Sequence, residues 1–259
     1  MAPWRRVETP MTDILCASGL AKRYGALKVT DDLSLELKKG ELHAVIGPNG
    51  AGKTTLIHQL AGEIAPDSGR ITLRGRDITR MPVYRRALSG LGRSYQITSV
   101  FREFTVLENV MLAVQAGQGH SFRFWRRARG DESLARPARD ALERVRLASA
   151  ARRRTGTLAH GEMRQLEIAM ALAMRPEVLL LDEPMAGMSR QETAGLVDLL
   201  RELKRAYSIV LVEHDMDAVF ALADRISVLS YGRVIACGTP EEIRGNDEVR
   251  TAYLGDGND

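Results

Sequence analysis

Residues 47–54 read Gly47-Pro48-Asn49-Gly50-Ala51-Gly52-Lys53-Thr54 and fit the pattern G-x-x-x-x-G-K-[ST] at every fixed position. The glycines permit backbone conformations closed to other residues, so successive N–H groups can turn inward on a phosphate while a helix N-terminus adds partial positive charge. Lys53 supplies a full cation, and Thr54 can offer its hydroxyl to a magnesium ion bridging phosphate oxygens, with Thr55 beside it. This run implies binding of a nucleoside triphosphate. A second constellation, Asp182-Glu183, follows the apolar run Val178-Leu179-Leu180-Leu181, and so places two carboxylates at the C-terminal edge of a strand buried on both faces. Ligands bind at that edge in open parallel sheets. Asp182 can hold magnesium directly or through water, and Glu183 can polarise a water towards the γ-phosphate. A third candidate, His214, ends the next apolar strand at the same edge. A lone histidine there is more often a structural hydrogen-bonding group, but this one could contact the γ-phosphate or orient Glu183.

The flanking pattern supplies the elements that must position these groups. Leu42, Ala44, Val45 and Ile46 predict a strand into the glycine loop, and Thr55, Leu56, Ile57, Gln59 and Leu60 a helix out of it. Alternation at Leu33, Leu35 and Leu37 and at Ile71 and Leu73 predicts half-buried strands, with turns at Lys39-Gly40 and Asp67-Ser68-Gly69. From Thr105 to Met174 the period becomes helical, including an amphipathic helix over Leu134, Ala138, Ala141, Leu142 and Val145 and a helix opening near Gly161 with Leu166, Met170 and Ala173 on one face. Ile209 to Val212 and a helix with Leu196, Leu199, Leu200 and Leu203 on one face then resume strand and crossover units. The expected organisation is a short extension over 1–11, one α/β domain over 12–255 with a helical subdomain inserted at about 97–175, and a tail over 256–259.

Hydrophobic content of 44% and charged content of 27% suit a globular chain, and a net charge of +4 is too small to argue for nucleic acid. The charge is concentrated: from Phe122 to Arg154 eleven arginines stand against four acids, a local +7. A solvated arginine face on a docked helix is the preferred reading over an anionic partner for Arg123, Arg126, Arg127, Arg129 and their neighbours. Cys16 and Cys237 match no metal spacing and read as small core residues. No apolar run reaches about 18 residues and the first ten lack the apolar centre of a signal peptide, so the expected location is the cytoplasm.

Taken in order, the motifs resemble the ATP-binding cassette family from about Thr12 to Gly255. Tyr24 lies upstream of the glycine loop, Gln96 stands in Arg93-Ser94-Tyr95-Gln96, and Leu158-Ala159-His160-Gly161-Glu162 takes the place of the family signature. The resemblance implies a P-loop α/β fold with a mixed sheet core, an antiparallel strand subdomain and an inserted helical subdomain. It implies that Tyr24 stacks adenine and that Gln96 serves magnesium and the membrane partner. It also implies that residues 47–55 and Ala159 to Glu162 hold ATP, and that Asp182, Glu183 and His214 act as magnesium aspartate, catalytic glutamate and switch histidine. Two such subunits, alike or different, pair head to tail so that ATP lies between the phosphate loop of one and the signature helix of the other. Ala159, His160 and Glu162 depart from the usual L-S-G-G-Q, and Ser189 replaces an aspartate that makes contacts across the pair.

The segments Phe101 to Val110, Val212-Glu213-His214-Asp215-Met216 and Val249 to Gly255 resemble ATP-binding subunits of branched-chain amino acid importers. That branch implies a peripheral ATPase on the inner face of the cell membrane, working with permease subunits and, indirectly, an external solute-binding protein. The cargo would be branched-chain or related amino acids or small amides. Three alternatives stand beside it: a lipopolysaccharide-export ATPase, a cassette acting in DNA repair or on ribosomes, and a weakly hydrolysing regulator, for which Ala159 and Ser189 are the only support.

Overall fold

The computed structural model describes residues 13–94, 100–118 and 131–254. Gln96, Arg123, Arg126, Arg127, Arg129 and the expected extension and tail lie outside them. The chain begins with β1 (Asp13–Tyr24) and β2 (Leu27–Lys38), then β3 (Leu42–Ile46), α1 (Lys53–Ala61), β4 (Ser68–Leu73), β5 (Arg76–Asp77), α2 (Val83–Leu88) and β6 (Leu91–Arg93). Among the described residues three α-helices follow, α3 (Val106–Gly117), α4 (Glu132–Arg144) and α5 (His160–Ala173). The last part alternates β7 (Val178–Asp182), α6 (Arg190–Leu203), β8 (Ser208–Val212), α7 (Met216–Leu222), β9 (Arg225–Ser230), β10 (Arg233–Gly238), α8 (Pro240–Arg244) and α9 (Asp247–Leu254).

Two sheets result. An antiparallel sheet has the order β2-β1-β4-β5, and a mixed sheet has the order β10-β9-β3-β8-β7-β6, in which β9, β3, β8, β7 and β6 run parallel and β10 runs opposite at the edge. The apolar runs of β3, β7 and β8 are explained by layers on both faces. Leu179, Leu181, Ile209 and Leu211 pack with residues of α3 to α7, while Val178, Leu180, Val210 and Val212 pack with α1 and the leucines of the antiparallel sheet. Because side chains alternate along a strand, neighbours in the chain serve opposite layers.

Leu196, Leu199, Leu200 and Leu203 are the buried stripe of α6, as its periodicity predicts. Helix α5 differs from the single stripe expected: Met163, Leu166, Ile168, Ala169, Ala171 and Leu172 are all buried, because α3, α4 and α6 surround it. Two other expectations are corrected. Ser68 and Gly69 belong to β4 rather than to a turn, since Gly69, at φ 96° and without a Cβ, allows the strand to approach the Gly19 carbonyl. Neither cysteine is a core residue: Cys16 is partly exposed, and Cys237 points outward from edge strand β10. Helix α4 buries Leu134, Ala135, Ala138, Ala141 and Leu142, and its outward Arg139 pairs with Glu132. No helix among the described residues is long and apolar enough to cross a membrane.

Arg86 fastens the far end of the helix that begins with Lys53. Its buried guanidinium donates to the carbonyls of Gln59, Leu60, Met81 and Thr79 at 2.6–2.9 Å, satisfying groups at the α1 C-terminus. His43 on β3 is likewise buried, with Nδ1 3.0 Å from the Glu36 carbonyl and Nε2 2.8 Å from Ser227 Oγ. Burial, reinforced by Arg225, lowers its pKa from 6.5 to about 4. A depressed folded value means that the unfolded chain binds the proton first. The contribution is therefore complete above about pH 6.5 and lost as pH falls towards about 4. The integrated loss is about 3 kcal/mol. Denaturant titrations of His43→Gln and the parent at pH 7 and pH 4.5 should show the parent losing more stability than the variant; equal losses would contradict the burial of a neutral imidazole.

Candidate functional site

Five parallel strands deliver their C-terminal ends to one edge. Residues 47–52 follow β3, Ser94 follows β6, Glu183 follows β7, and Glu213-His214-Asp215 follow β8. The register sets Val45 opposite Val212, and Val212 opposite Asp182, so the glycine loop and the carboxylates emerge at the same level.

The glycine loop is shaped by close backbone contacts behind it. A Cβ at Gly47 would lie 2.2 Å from the Leu229 carbonyl oxygen, and one at Gly52 would lie 2.4 Å from that of Val29. With φ of 152° at Gly47, 78° at Gly50 and 104° at Gly52, the loop follows a path that residues with a Cβ rarely adopt. Gly232 braces it, its N–H donating to the Ala51 carbonyl at 3.0 Å. Lys53 Nζ donates to the carbonyls of Gly47 at 2.7 Å and Pro48 at 3.0 Å, which holds the cation inside the loop. Burial pulls its pKa down, while Glu183 and Asp182 pull the other way. Thr54 is exposed at the start of α1 and Thr55 is half-buried.

Asp182 is nearly buried at the end of β7. Arg93 Nη2 lies 3.6 Å from its Oδ2, and Arg93 also pairs with Glu63 at 2.5 Å. Burial raises the Asp182 pKa, with Arg93 acting against the rise. Its Oδ1 is buried without a hydrogen-bond partner, so this carboxylate fits a cation ligand: it has an oxygen to give, next to the Lys53 loop. Glu183 adopts φ 47°, a left-handed conformation that costs a residue with a Cβ roughly 1–2 kcal/mol. Its N–H donates to the Val212 carbonyl at 2.9 Å, which stabilises that turn. His214 exposes 63% of its side chain, and no hydrogen bond joins its ring to Glu183 among the described residues.

Ala159 to Glu162 assemble elsewhere, at the start of α5. Ala159 sits at the N-cap but has no side-chain acceptor. The Glu162 carboxylate reaches back to the Ala159 N–H at 2.9 Å and takes Arg153 at 2.6 Å. The Gly161 N–H donates to Glu192 Oε1 at 3.1 Å, while Glu192 Oε2 accepts from the Ser189 N–H and hydroxyl at 2.9 and 2.7 Å. Ser189 is thus the N-cap of α6 and holds the loop after Glu183 to the start of the signature helix. Among the described residues no hydrogen bond or ion pair joins 47–55 to 159–162. Tyr24 is exposed at the β1–β2 turn opposite Leu27, with Lys22 Nζ 5.7 Å from its ring centroid. Strand β2 continues to Val29, whose carbonyl backs the glycine loop at Gly52.

Several site residues carried no direct role in the sequence reading. Glu213 is fully buried and accepts from the Met185 N–H at 2.8 Å and the His214 N–H at 3.0 Å. A charged residue directly after the apolar run 209–212 was its available signal. Glu192 had a local one, as the third residue after a serine cap. Arg93 and Glu63 had none, because their meeting depends on β6 lying beside β7.

Residues 30–186 match the family described as ABC transporter, and residues 233–259 match that described as branched-chain amino acid ATP-binding cassette transporter. The chain is 43% identical over 253 residues to the high-affinity branched-chain amino acid transport ATP-binding protein LivG of Salmonella typhimurium, covering 94% of this chain and 98% of that one. It is 38% identical to BraF of Pseudomonas aeruginosa, a protein of the same description, with the same coverage. The lipopolysaccharide export system ATP-binding protein LptB of Haemophilus influenzae is 33% identical, again over 94% and 98% of the two chains. Among solved structures, the ADP conformation of an ATP-binding cassette of an ABC transporter superposes with TM-score 0.84 at 29% identity, covering 94% of this chain and 99% of that one. With the phosphate loop, the strand-end carboxylates and the signature helix in one fold, the chain belongs to the ABC transporter family as an ATP-hydrolysing cassette subunit.

Proposed function

We propose that this subunit energises import of branched-chain or related amino acids from the inner face of the cell membrane, and that it hydrolyses ATP between two head-to-tail cassettes. The observation that carries the paired site is the separation, within one chain, of a phosphate cradle at 47–54 from a second set of helix N–H groups at 160–162. A nucleotide on the first leaves its γ-phosphate open to the second set on a partner. First-turn N–H groups of a helix lack intrahelical partners and suit an anion. In the pair, the γ-phosphate takes over the Gly161 N–H that Glu192 holds in the single chain. The departures at Ala159, His160 and Glu162 keep these backbone donors.

Tyr24 stacks on adenine, and residues 47–55 wrap the phosphates. Thr54, Asp182 and Gln96 are suited to hold a magnesium ion, which when bound supplies charge neutralisation at the phosphate oxygens. Glu183 accepts a proton from the attacking water, and His214 reaches from the neighbouring strand end to the γ-phosphate. The cargo assignment is supported by the transport role that LivG and BraF are named for and by the match at the C-terminal residues. The lower identity to LptB weighs against lipopolysaccharide export. For the permease, a cavity of about 260 Å³ offers an apolar seat between α2, β6, α3 and α5. It is lined by Val83, Ala87, Leu112, Ala113, Met170 and Met174 and sits beside the strand that leads to Gln96.

Ala113→Arg should therefore reduce co-purification with the permease subunits from membranes while leaving ATP binding within about twofold; undiminished co-purification would remove this cavity as the docking seat. Identification of those permeases and their solute-binding protein tests the cargo. For the paired site, Glu183→Gln keeps hydrogen-bonding reach but removes the basic carboxylate, so hydrolysis should slow roughly 100-fold or more with ATP still bound. Sedimentation should show an ATP-dependent dimer of this variant that Gly161→Asp disperses by charge repulsion. Wild-type turnover in Glu183→Gln, or a dimer indifferent to Gly161→Asp, would overturn the mechanism.

A further inference from the structure

We propose that Glu213 is a positioning residue for ATP hydrolysis, its carboxylate locking the turn that carries Glu183 to the loop that carries His214. This rests on the reading of Glu183 as the base, and extends the working site to a residue that touches no nucleotide. Charged side chains are almost never fully buried unless paired, yet Glu213 is 0% exposed at the end of β8. Its side chain turns inward while that of His214 turns out to solvent, as alternation along an extended segment requires. The partners of its carboxylate are main-chain donors from two different loops. Oε1 accepts from Met185, two residues after the base, and Oε2 accepts from His214.

Such a bridge acts on geometry. Glu183 holds a left-handed backbone conformation that persists only where the surroundings over-determine it. Two constraints meet there, one on each side of Pro184: the Val212 carbonyl accepts from Glu183, and the Glu213 carboxylate accepts from Met185. Val212 and Glu213 are consecutive, so the end of β8 fixes both ends of the turn and, through the same carboxylate, the first residue of the histidine loop. Burial raises the Glu213 pKa and the backbone N–H groups of Met185, His214 and Asp215 act against the rise, so the carboxyl group meets donors with its two acceptor oxygens. A glutamine amide in its place turns two donor hydrogens towards one of those N–H groups, and the bridge must open on that side. The phosphate loop and Lys53 make none of these contacts, so nucleotide affinity should survive the loss.

The test uses the full chain. Glu213→Gln should lower kcat about tenfold or more with KM for ATP and nucleotide Kd within about twofold, and Glu213→Asp, which keeps the charge and both acceptor oxygens, should retain more activity. In the Glu183→Gln background, adding Glu213→Gln should leave the residual rate unchanged, because the group being positioned is already lost. Unaltered kcat in Glu213→Gln would overturn the proposal. So would a parallel loss of ATP affinity, an aspartate variant worse than the glutamine one, or a further multiplicative drop in the double variant. If Glu183→Gln itself turns over normally, the base assignment fails and takes this inference with it. If Glu183→Gln is slow and Glu213→Gln is not, this inference alone fails.

Discussion

The parallel register of β3, β8, β7 and β6 is the constraint on which the site depends. Val45 lies opposite Val212, Val212 opposite Asp182, and Leu180 opposite Arg93, so four chain exits stand side by side at one edge. A slip of one residue would turn every side chain of the slipped strand to the opposite layer. The apolar layers on both faces make that slip expensive, because Leu179 and Leu181 would exchange places with Val178 and Leu180 against cores of different shape. Core packing thereby holds the spacing between Lys53, Asp182, Glu183 and His214.

Within this frame the chain supplies partners for many of the charged groups of the candidate site. Loop carbonyls hold Lys53, Arg93 approaches Asp182, and the carboxylate of Glu192 takes a signature N–H. Glu213 and Glu192 anchor the stretch from Glu183 to Ser189 at two points, one to the histidine loop and one to the signature helix. The loop after Glu183 is thus physically continuous with both. Motion of either neighbour must be transmitted to Glu183 or absorbed by breaking one of these carboxylate bridges.

Local pattern made the cradle, the strand-end carboxylates and the leucine face of α6 readable, because each is encoded within one turn or one strand. The limits are equally physical. Asp67-Ser68-Gly69 has turn composition, but the backbone of Gly19 in another strand decides its conformation, and Asp67 is occupied by Lys22 and the Arg23 N–H. Cys237 looked like a core residue by type, and edge position exposes it. Helix α5 was expected to bury one stripe, whereas three neighbouring helices enclose it. Glu213 illustrates the general case: its identity suggests a solvated acid, and the N–H of Met185, 28 positions earlier, is a partner that no local pattern announces.

The proposed pairing sets the phosphate loop of one copy against the signature helix of another. It is tested most directly in a Glu183→Gln background with Cys16 and Cys237 replaced by serine, where one preparation carries Asn49→Cys and a second carries His160→Cys. Mixed with ATP and a short bismaleimide, the two chains should form a covalent heterodimer that neither preparation gives alone and that ADP does not support. A crosslink yield independent of ATP, or no interchain product while ATP-dependent dimers are present by sedimentation, would contradict the composite site.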